Sequence, residues 1–379
     1  MAGAQTAFSL KEYSDTLFAG IASSGTIHAE LVYPEWYSPV QKFAPQDCVA
    51  SVNGIIDKFD ALVEAGNREA VNTFKSLFGL ASLTDDRDFA QTIAFPIGGP
   101  MNYPTSTWQE LGWNPSFGSD DFWNFCNNVT NLYAPENITA NDYILSNYTS
   151  GEPWTNLGNY ANYVSKYVTD VYCPSPDLIN TPTCFGTQNQ TYYAEITNSD
   201  TRSYLYTTCT EQGGYQAAPE TGPSLLSRVV KADYTQQWCN WAFPPGKFNS
   251  VSPNGPNLTH WNKYNTNYPN NNFDFSADRL ALVDGAQDVW LDLCYHSNHA
   301  PLRTTTDLTL HPELLISGAG HHWDSYGIGD INAEPQFIRN AHLWEIRTVA
   351  RWLRYFPSWK PKSKKRSSLP IKKASVQRV

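Results

Sequence analysis

Two apolar runs in the C-terminal part of the chain read Arg279-Leu-Ala-Leu-Val-Asp-Gly-Ala-Gln-Asp-Val-Trp290 and Leu314-Leu-Ile-Ser-Gly-Ala-Gly-His-His-Trp-Asp324. Each run is followed by glycine and then by an acid or a histidine, which is typical of a buried strand that carries a polar residue to the rim of a sheet. In open α/β sheets the carboxyl ends of parallel strands collect ligands and catalytic groups. We therefore predict that the two runs are neighbouring strands and that Asp288 and His321 emerge side by side.

These two side chains have the chemistry of a hydrolase. An aspartate that pairs with a histidine holds the imidazole in one tautomer, which is two thirds of a Ser-His-Asp triad. The acid precedes the histidine by about thirty residues, as in the chain order of α/β-hydrolases. A structural alternative stays open, because an aspartate after a strand often caps a helix and a His-His pair often only completes a hydrogen-bonded rim.

Four short motifs resemble those of a known family. They are Gly285-x-x-Asp288-x-Trp290, Gly318-Ala-Gly-His321-His322-x-Asp324, Ala22-Ser23-Ser24 after an apolar run, and Thr208-Cys209-Thr210-Glu211-x-Gly213. The chain resembles, from residue 2 to about residue 356, the serine peptidases typified by lysosomal prolylcarboxypeptidase and dipeptidyl peptidase II, with fungal prolyl-peptidase-like members. It departs from their pattern at Val289, where the family usually has Pro, and at Trp323, where it has Leu; neither change touches a reacting atom.

The resemblance implies roles for individual residues. Asp288 would orient His321, which would act as the general base of a serine-type peptidase, an exopeptidase that cleaves after proline. Trp290 would form an aromatic wall against the proline ring, although ordinary core packing is an equal alternative for it. Glu211 would bind a substrate amino terminus or merely lie at the rim. The resemblance also implies a disulfide between Cys209 and Cys239, and one between Cys48 and a cysteine in the inserted segment.

The resemblance also bears on the nucleophile. Residues 4–16 have near-helical apolar spacing and residues 17–24 form an apolar strand. In the family that helix follows the turn Gly-x-Ser-Tyr-x-Gly-Ala, and Met1-Ala2-Gly3-Ala4 would occupy its last four places. We therefore expect the serine one position before Met1, in a sequence truncated after it. Ser23 and Ser24 lie at a strand end rather than on the strained strand-to-helix turn that exposes a nucleophile.

The expected fold is an α/β-hydrolase sheet, incomplete because its early strands are missing, with an inserted and mostly helical lid. We assign 1–29 and 196–356 to the hydrolase domain, 30–195 to the lid, and 357–379 to a disordered basic tail. Further predictions are two helices over 46–79, a strand-prone run at 204–208, and a closing helix over 334–356. On that helix Ile338, Ile346, Val349 and Leu353 are spaced to face the sheet.

The composition favours an extracellular or lysosomal and vacuolar protein. Charged residues make up only 16% of the chain and aromatic residues 14%. Seven cysteines lack Cys-x-x-Cys spacing, which favours disulfides over a zinc or redox site. Five Asn-x-Ser/Thr sequons predict glycosylation at Asn128, Asn137, Asn147, Asn189 and Asn257. Since the chain shows no signal peptide, we expect one to be lost with the missing N-terminal segment.

Charge limits the partners. The net charge is −10, and the basic residues after Lys360 leave the rest of the chain still more acidic. An acidic body argues against nucleic-acid binding, because phosphate contacts need positive charge. A nuclear-localisation reading of Lys362-Ser-Lys-Lys-Arg366 conflicts with the sequons and cysteines. No run of eighteen apolar residues predicts a membrane span. We expect the substrates to be peptides that contain proline.

Two rivals remain. A metallohydrolase would use His296, His299, His321 and His322, but His296-x-x-His299 is not the i, i+4 pair of known zinc helices, and we expect neither a metal nor a cofactor. The other rival is a catalytically inactive, glycosylated protein of the same fold with a binding role. The sequence alone leaves open carboxypeptidase, dipeptidyl-peptidase or endopeptidase action, and the oligomeric state.

Overall fold

The computed structural model describes residues 1–99, 108–114, 116–173, 175–246, 251–265, 273–303 and 307–356. The predicted basic tail, 357–379, lies outside the described residues. The described strands are β1 (Gly20–Ser23), β2 (Glu30–Val32), β3 (Gly213–Tyr215), β4 (Leu280–Gly285) and β5 (Glu313–Ile316). The helices are α1 (Ala2–Glu12), α2 (Ser38–Phe43), α3 (Gln46–Glu64), α4 (Arg68–Leu77), α5 (Asp86–Ile93), α6 (Asp121–Val129), α7 (Glu136–Thr139), α8 (Leu157–Val164), α9 (Asp170–Tyr172), α10 (Gln190–Ala194), α11 (Asp200–Thr207), α12 (Ala232–Ala242), α13 (Leu258–Asn262) and α14 (Gln336–Leu353).

The described strands form two small parallel sheets, so the chain is a mixed helical and sheet structure consistent with an α/β fold. One sheet has the order β1-β4-β5, and the other pairs β2 with β3. Every residue of β4 is buried, as expected of a parallel strand between two neighbours and covered on both faces. The prediction that the two quoted apolar runs are neighbouring strands is confirmed, because Val283 pairs with Leu314 in parallel register.

The first helix and strand lie together where the sequence predicts them, although α1 begins two residues earlier and ends four residues sooner than expected. Ala4, Ala7 and Leu10 are buried. The start of α1 lies against the end of β1: a β-carbon on Gly3 would come within 2.1 Å of the Ser23 carbonyl oxygen. Glycine at this position therefore lets the helix begin beside the rim of the sheet.

The helical part of the chain is built on α3. Its predicted apolar face is confirmed, since all six of its members are buried: Val49, Val52, Ile55, Ile56, Phe59 and Leu62. This face belongs to the largest apolar cluster of the described residues, which also includes side chains of α4, α5, α6 and α8. Three- and four-residue spacing places such residues on one side of a helix, and that side is buried against the neighbouring helices.

The strand-prone run at 204–208 is a helix instead. Residues 200–207 form α11, and a π-helical turn, Thr208–Gln212, follows it. The Ser199 side chain accepts a hydrogen bond from the backbone N–H of Arg202 and Asp200 stands in the first turn. Both features stabilise a helix start, and they outweigh the β-propensity of the tyrosines and threonines, which depends strongly on context.

The closing helix forms, but its predicted face is wrong in part. Ile346 is 57% exposed and Val349 is 38% exposed, whereas Ile338 is buried as predicted. The buried side of α14 consists of Ile338, Ala341, Thr348 and Trp352. Trp352 fixes this orientation, because its indole N–H donates to the Thr309 carbonyl oxygen at 2.6 Å and a buried tryptophan needs such a partner.

Three disulfides link the chain to itself, across 78, 11 and 30 residues. They are Cys48–Cys126, Cys173–Cys184 and Cys209–Cys239, and Cys294 is a buried free thiol. The first and third are the pairs that the family resemblance implied. None of the described helices is long and apolar enough to cross a membrane.

Candidate active site

Asp288 and His321 meet at the carboxyl ends of β4 and β5. Nδ1 of His321 lies 2.9 Å from one carboxylate oxygen of Asp288 and 3.1 Å from the other. The segments that follow β4 and β5 approach each other closely because Gly285 has no side chain. A β-carbon on Gly285 would lie 2.4 Å from the Gly320 carbonyl oxygen. The Asp288 side chain is fully buried, while the His321 side chain keeps 13% of its surface exposed.

The environment of Asp288 favours its ionised form. Burial alone would raise its pKa, but the charge and hydrogen bond of His321, the backbone N–H of Trp290 and the hydroxyl of Ser24 outweigh burial and lower the pKa. A carboxylate in this position accepts the Nδ1 proton of His321. The Nε2 atom then keeps a lone pair that can accept a proton from a nucleophile.

The two serines at the end of β1 have partners other than His321. Ser24 is 1% exposed and its Oγ accepts a hydrogen bond from the His322 backbone N–H at 3.1 Å. The Ser23 hydroxyl donates to Asp324 at 2.7 Å and lies 3.0 Å from Nδ1 of His322. Neither arrangement is that of a nucleophile paired with the Asp288–His321 base, and both serines instead support neighbouring side chains.

The second histidine of the motif is held in a different way. His322 has a left-handed backbone with φ of 59°, and burial, with the charge of His321, lowers its pKa to about 3. Burial also raises the pKa of its neighbour Asp324 to about 6. A histidine with such a low pKa stays neutral at physiological pH and is a weak base. Of the two histidines, His321 therefore has the geometry of a general base.

A cavity of about 250 Å³ opens beside His321. Its wall includes Trp290, so the structure brings the predicted base and the predicted aromatic wall together. The Trp290 ring stacks on Tyr33, with centroids 5.7 Å apart and an interplanar angle of 9°, and its indole N–H donates to Gln109 at 3.2 Å. The remaining lining residues are Met1, Thr26, His28, Gln109, Tyr204, Gln212, Gly213, Gly214 and Leu293.

Glu211 is not among the residues that line this cavity. Its carboxylate lies 3.4 Å from Nδ1 of His260, and both side chains are largely exposed. The neighbouring Gln212 lines the cavity in its place. A role for Glu211 in binding a substrate amino terminus therefore stays a prediction that would require contact outside this cavity.

Several site residues were not found by sequence reasoning. Gln109 reaches Trp290 from a separate segment, and no motif marks it. Two indole hydrogen bonds bring that segment to the histidine motif: Trp323 donates to the Leu111 carbonyl at 2.8 Å and Trp113 donates to the Trp323 carbonyl at 2.9 Å. The one feature of the sequence that indicates this contact is the presence of tryptophan in both segments, because buried indole N–H groups usually have hydrogen-bond partners.

The other predicted residues lie elsewhere. His296 pairs with Asp284 at 2.7 Å, apart from the Asp288–His321 pair. Within the described ranges, no three His, Cys, Asp or Glu side chains are grouped so that they could hold a metal ion. Of the five sequon asparagines, Asn137, Asn147, Asn189 and Asn257 are exposed, whereas Asn128 is half-buried and its side-chain amide donates to the Asn124 carbonyl.

Comparison with known proteins identifies similar sequences. The family model described as serine carboxypeptidase S28 matches residues 1–340. A probable extracellular serine carboxypeptidase of Arthroderma benhamiae is 30% identical over 372 residues, which cover 93% of this chain and 48% of that protein. The serine protease vicPa of Bipolaris victoriae is 23% identical over 376 residues, which cover 95% of this chain and 65% of that protein. The chain thus spans between about half and two thirds of the length of these curated relatives.

Proposed function

The chain belongs to the serine carboxypeptidase S28 family, and from this premise we propose that Asp288 and His321 are the acid and the base of a serine-type peptidase. The observation that carries the proposal is the pairing of the buried Asp288 carboxylate with Nδ1 of His321, whose ring also lines a cavity. The fold would be that of an α/β-hydrolase, with the helices of 30–195 as a lid over the site.

The chemistry is acyl transfer in two steps. Nε2 of His321 takes the proton from a serine hydroxyl as the serine oxygen attacks the scissile carbonyl, and the imidazolium then gives that proton to the leaving amine. A water molecule, deprotonated by the same nitrogen, releases the acyl group and regenerates the serine. Asp288 stabilises the imidazolium in both steps, and the low pKa of its carboxyl suits this role because the group stays ionised.

The nucleophilic serine in this proposal immediately precedes Met1. Met1 lines the same cavity as His321, and α1 begins at the next residue. A nucleophile on the turn that leads into a helix, beside the carboxyl ends of the strands, is the usual arrangement in α/β-hydrolases. The close contact of Gly3 with the end of β1 supports a tight turn at this place.

The proposed substrates are peptides that contain proline, cleaved after that residue near a chain end. A flat aromatic wall suits a proline ring, and the Trp290 ring is held in place by the Tyr33 stack and by Gln109. The protein would act outside the cell or in a lysosome or vacuole, since three disulfides are stable in oxidising compartments and one similar protein is named extracellular. Glycans would occupy the exposed sequons.

A second candidate is an inactive glycoprotein of the same fold with a binding role. It is favoured by the engagement of Ser23 and Ser24 with Asp324, His322 and Asp288 rather than with the base. Under this alternative the cavity beside His321 would hold a peptide without cleaving it. The two candidates differ in one measurable property, which is the presence of a reactive serine.

The test begins with the genomic DNA upstream of the Met1 codon, where we expect Gly-x-Ser-Tyr codons in frame or across an intron. Protein that includes this segment should react with a fluorophosphonate probe and cleave prolyl peptides, and alanine in place of the new serine should abolish both. Stop codons in every frame without a splice acceptor would overturn the position of the nucleophile. Labelling of a protein that starts at Met1 would do the same.

A further inference from the structure

A second cavity lies on the other side of Trp290. It has a volume of about 330 Å³ and shares Tyr204, Gly214 and Trp290 with the cavity beside His321. Its remaining wall consists of Tyr193, Asp200, Thr201, Leu205, Thr208, Tyr215, Gln216, Thr235 and Trp238. The two cavities are therefore neighbours, and Trp290, Tyr204 and Gly214 form the boundary between them.

One wall of this second cavity is a face of α11. Thr201, Tyr204, Leu205 and Thr208 follow one another at three- and four-residue spacing, which places them on one side of the helix and of the turn after it. The strand-prone composition of this run is explained by its position, since β-branched and aromatic side chains here line a cavity rather than pack within a sheet.

The opposite wall is rigid. Trp238 is 1% exposed and lies parallel to Tyr193, with an interplanar angle of 7° and centroids 6.2 Å apart. The Tyr215 hydroxyl donates to Gln236 at 2.9 Å. The Cys209–Cys239 disulfide ties the turn after α11 to α12, which carries Trp238. A wall held by stacking, hydrogen bonding and a disulfide is formed before any ligand arrives, which lowers the entropic cost of binding.

The chemistry of the wall indicates the ligand. Five aromatic residues and one leucine make up half of the described lining residues, and Asp200 is the one charged residue among them. Ligand cavities of roughly 300–1,000 Å³ are common, so this one lies at the small end of the range. Its size and apolar lining suit one large side chain rather than a length of peptide.

We propose that this second cavity is a specificity subsite that takes a large apolar or aromatic side chain from the substrate residue that precedes the proline held against Trp290. The proposal rests on the proposed peptidase function, because it assigns the neighbouring residue of the same bound peptide. Gly214 lies at the boundary between the two cavities, where its φ of +70° favours glycine. Because Gly214 has no side chain, only its backbone lies beside the Trp290 ring.

The test measures binding, so it needs no reactive serine. Two acetylated peptides, Ala-Phe-Pro-Ala and Ala-Ala-Pro-Ala, are titrated calorimetrically into the full chain. The Phe peptide should bind about ten to a hundred times more tightly, as expected when a large apolar group fills a matching cavity. Equal affinities would overturn the proposal, and so would the absence of binding by both peptides.

Variants of α11 locate the effect. Thr201→Trp fills the cavity from an exposed position and should bring the two affinities within about threefold, without weakening the Ala peptide. Ser203→Trp is the matched control, because it adds the same side chain to an exposed position on the same helix that does not line the cavity; it should keep the preference. Equal losses for both peptides in Thr201→Trp would contradict a side-chain subsite.

A second variant guards against misfolding of the first. Leu205→Ala enlarges the cavity and should shift the preference from the Phe peptide towards its Trp counterpart, whereas an unchanged order would overturn the proposal. Failure of the proposed function gives a different result: the chain would still prefer the Phe peptide, but protein carrying the upstream segment would neither react with fluorophosphonate nor cleave either peptide.

Discussion

The ring centroids of His321 and His322 lie only 3.8 Å apart, with the ring planes tilted by 51°, yet their Nδ1 atoms face different partners. Nδ1 of His321 lies 2.9 Å from Asp288, and Nδ1 of His322 lies 3.0 Å from Ser23. The two histidines are adjacent in sequence and in space, but each belongs to a separate hydrogen-bond network. The left-handed backbone of His322 produces this divergence, because it turns the second ring away from the carboxylate that holds the first.

Trp290 offers a test of the proposed proline wall. In protein that carries the reactive serine, Trp290→Ala should raise KM for prolyl peptides about tenfold to a hundredfold with little change in kcat, since the ring binds substrate and transition state alike. Trp290→Phe is the control and should change KM much less, because it removes the indole N–H that donates to Gln109 but leaves a flat ring at the wall. A fall in kcat at unchanged KM would instead indicate that Trp290 acts by packing beside Asp288.

Glu345 should make stability depend on pH. Burial, followed by the charge of Asp324, raises its pKa to about 7, and its Oε1 is buried without a hydrogen-bond partner among the described residues. The pKa of Glu345 is higher in the folded state than in the unfolded state, so the protonated carboxyl favours folding. Its contribution to the free energy of unfolding is fully present below about pH 4.5 and is lost as pH rises through 7. Glu345→Gln should therefore be more stable than the parent at pH 8, by about 1–3 kcal/mol, and equal to it at pH 4.

Thermal unfolding at several pH values measures this difference. Glu195→Gln, at an exposed position, is the control and should leave stability unchanged across the range. A Glu345→Gln protein that is less stable than the parent at pH 8, or that differs from it equally at every pH, would show that the carboxylate makes a favourable interaction.

The Cys209–Cys239 disulfide should contribute strongly to stability. It closes a loop with a sequence separation of 30 and joins the two walls of the second cavity. Cys209→Ser with Cys239→Ser should lower the free energy of unfolding by about 2–4 kcal/mol. It should also weaken the preference for the Phe peptide. Chemical denaturation measures the first effect, and an unchanged midpoint would contradict it.

Local sequence patterns predicted the strand ends that carry Asp288 and His321 and the buried face of one long helix. The apolar runs that form β4 and β5 are followed by a glycine and then by a polar residue, and this pattern predicted that Asp288 and His321 would lie close together, because strand ends in parallel sheets meet at one rim. The face of α3 follows from its helical spacing. The face of α14 does not, because Trp352 and its partner Thr309 set the orientation and Ile346 is left exposed.

Other parts depend on contacts that no local pattern encodes. The tyrosines and threonines of α11 favour a strand by propensity, and only the cap at Ser199 and the cavity wall explain the helix. Gln109 approaches Trp290 from a segment 181 residues away in sequence. Such contacts arise from the packing of segments that are far apart in the chain, which sequence spacing alone does not specify.

The assignment of the base is tested most directly by three variants of protein that includes the proposed serine. Asp288→Asn and His321→Ala should each lower kcat/KM on a prolyl peptide by about 10⁴, while a cooperative thermal transition is kept. His322→Ala should lower it by no more than about tenfold, because this ring does not pair with Asp288 and its pKa of about 3 makes it a weak base. An inactive His322→Ala protein beside a largely active His321→Ala protein would contradict the account.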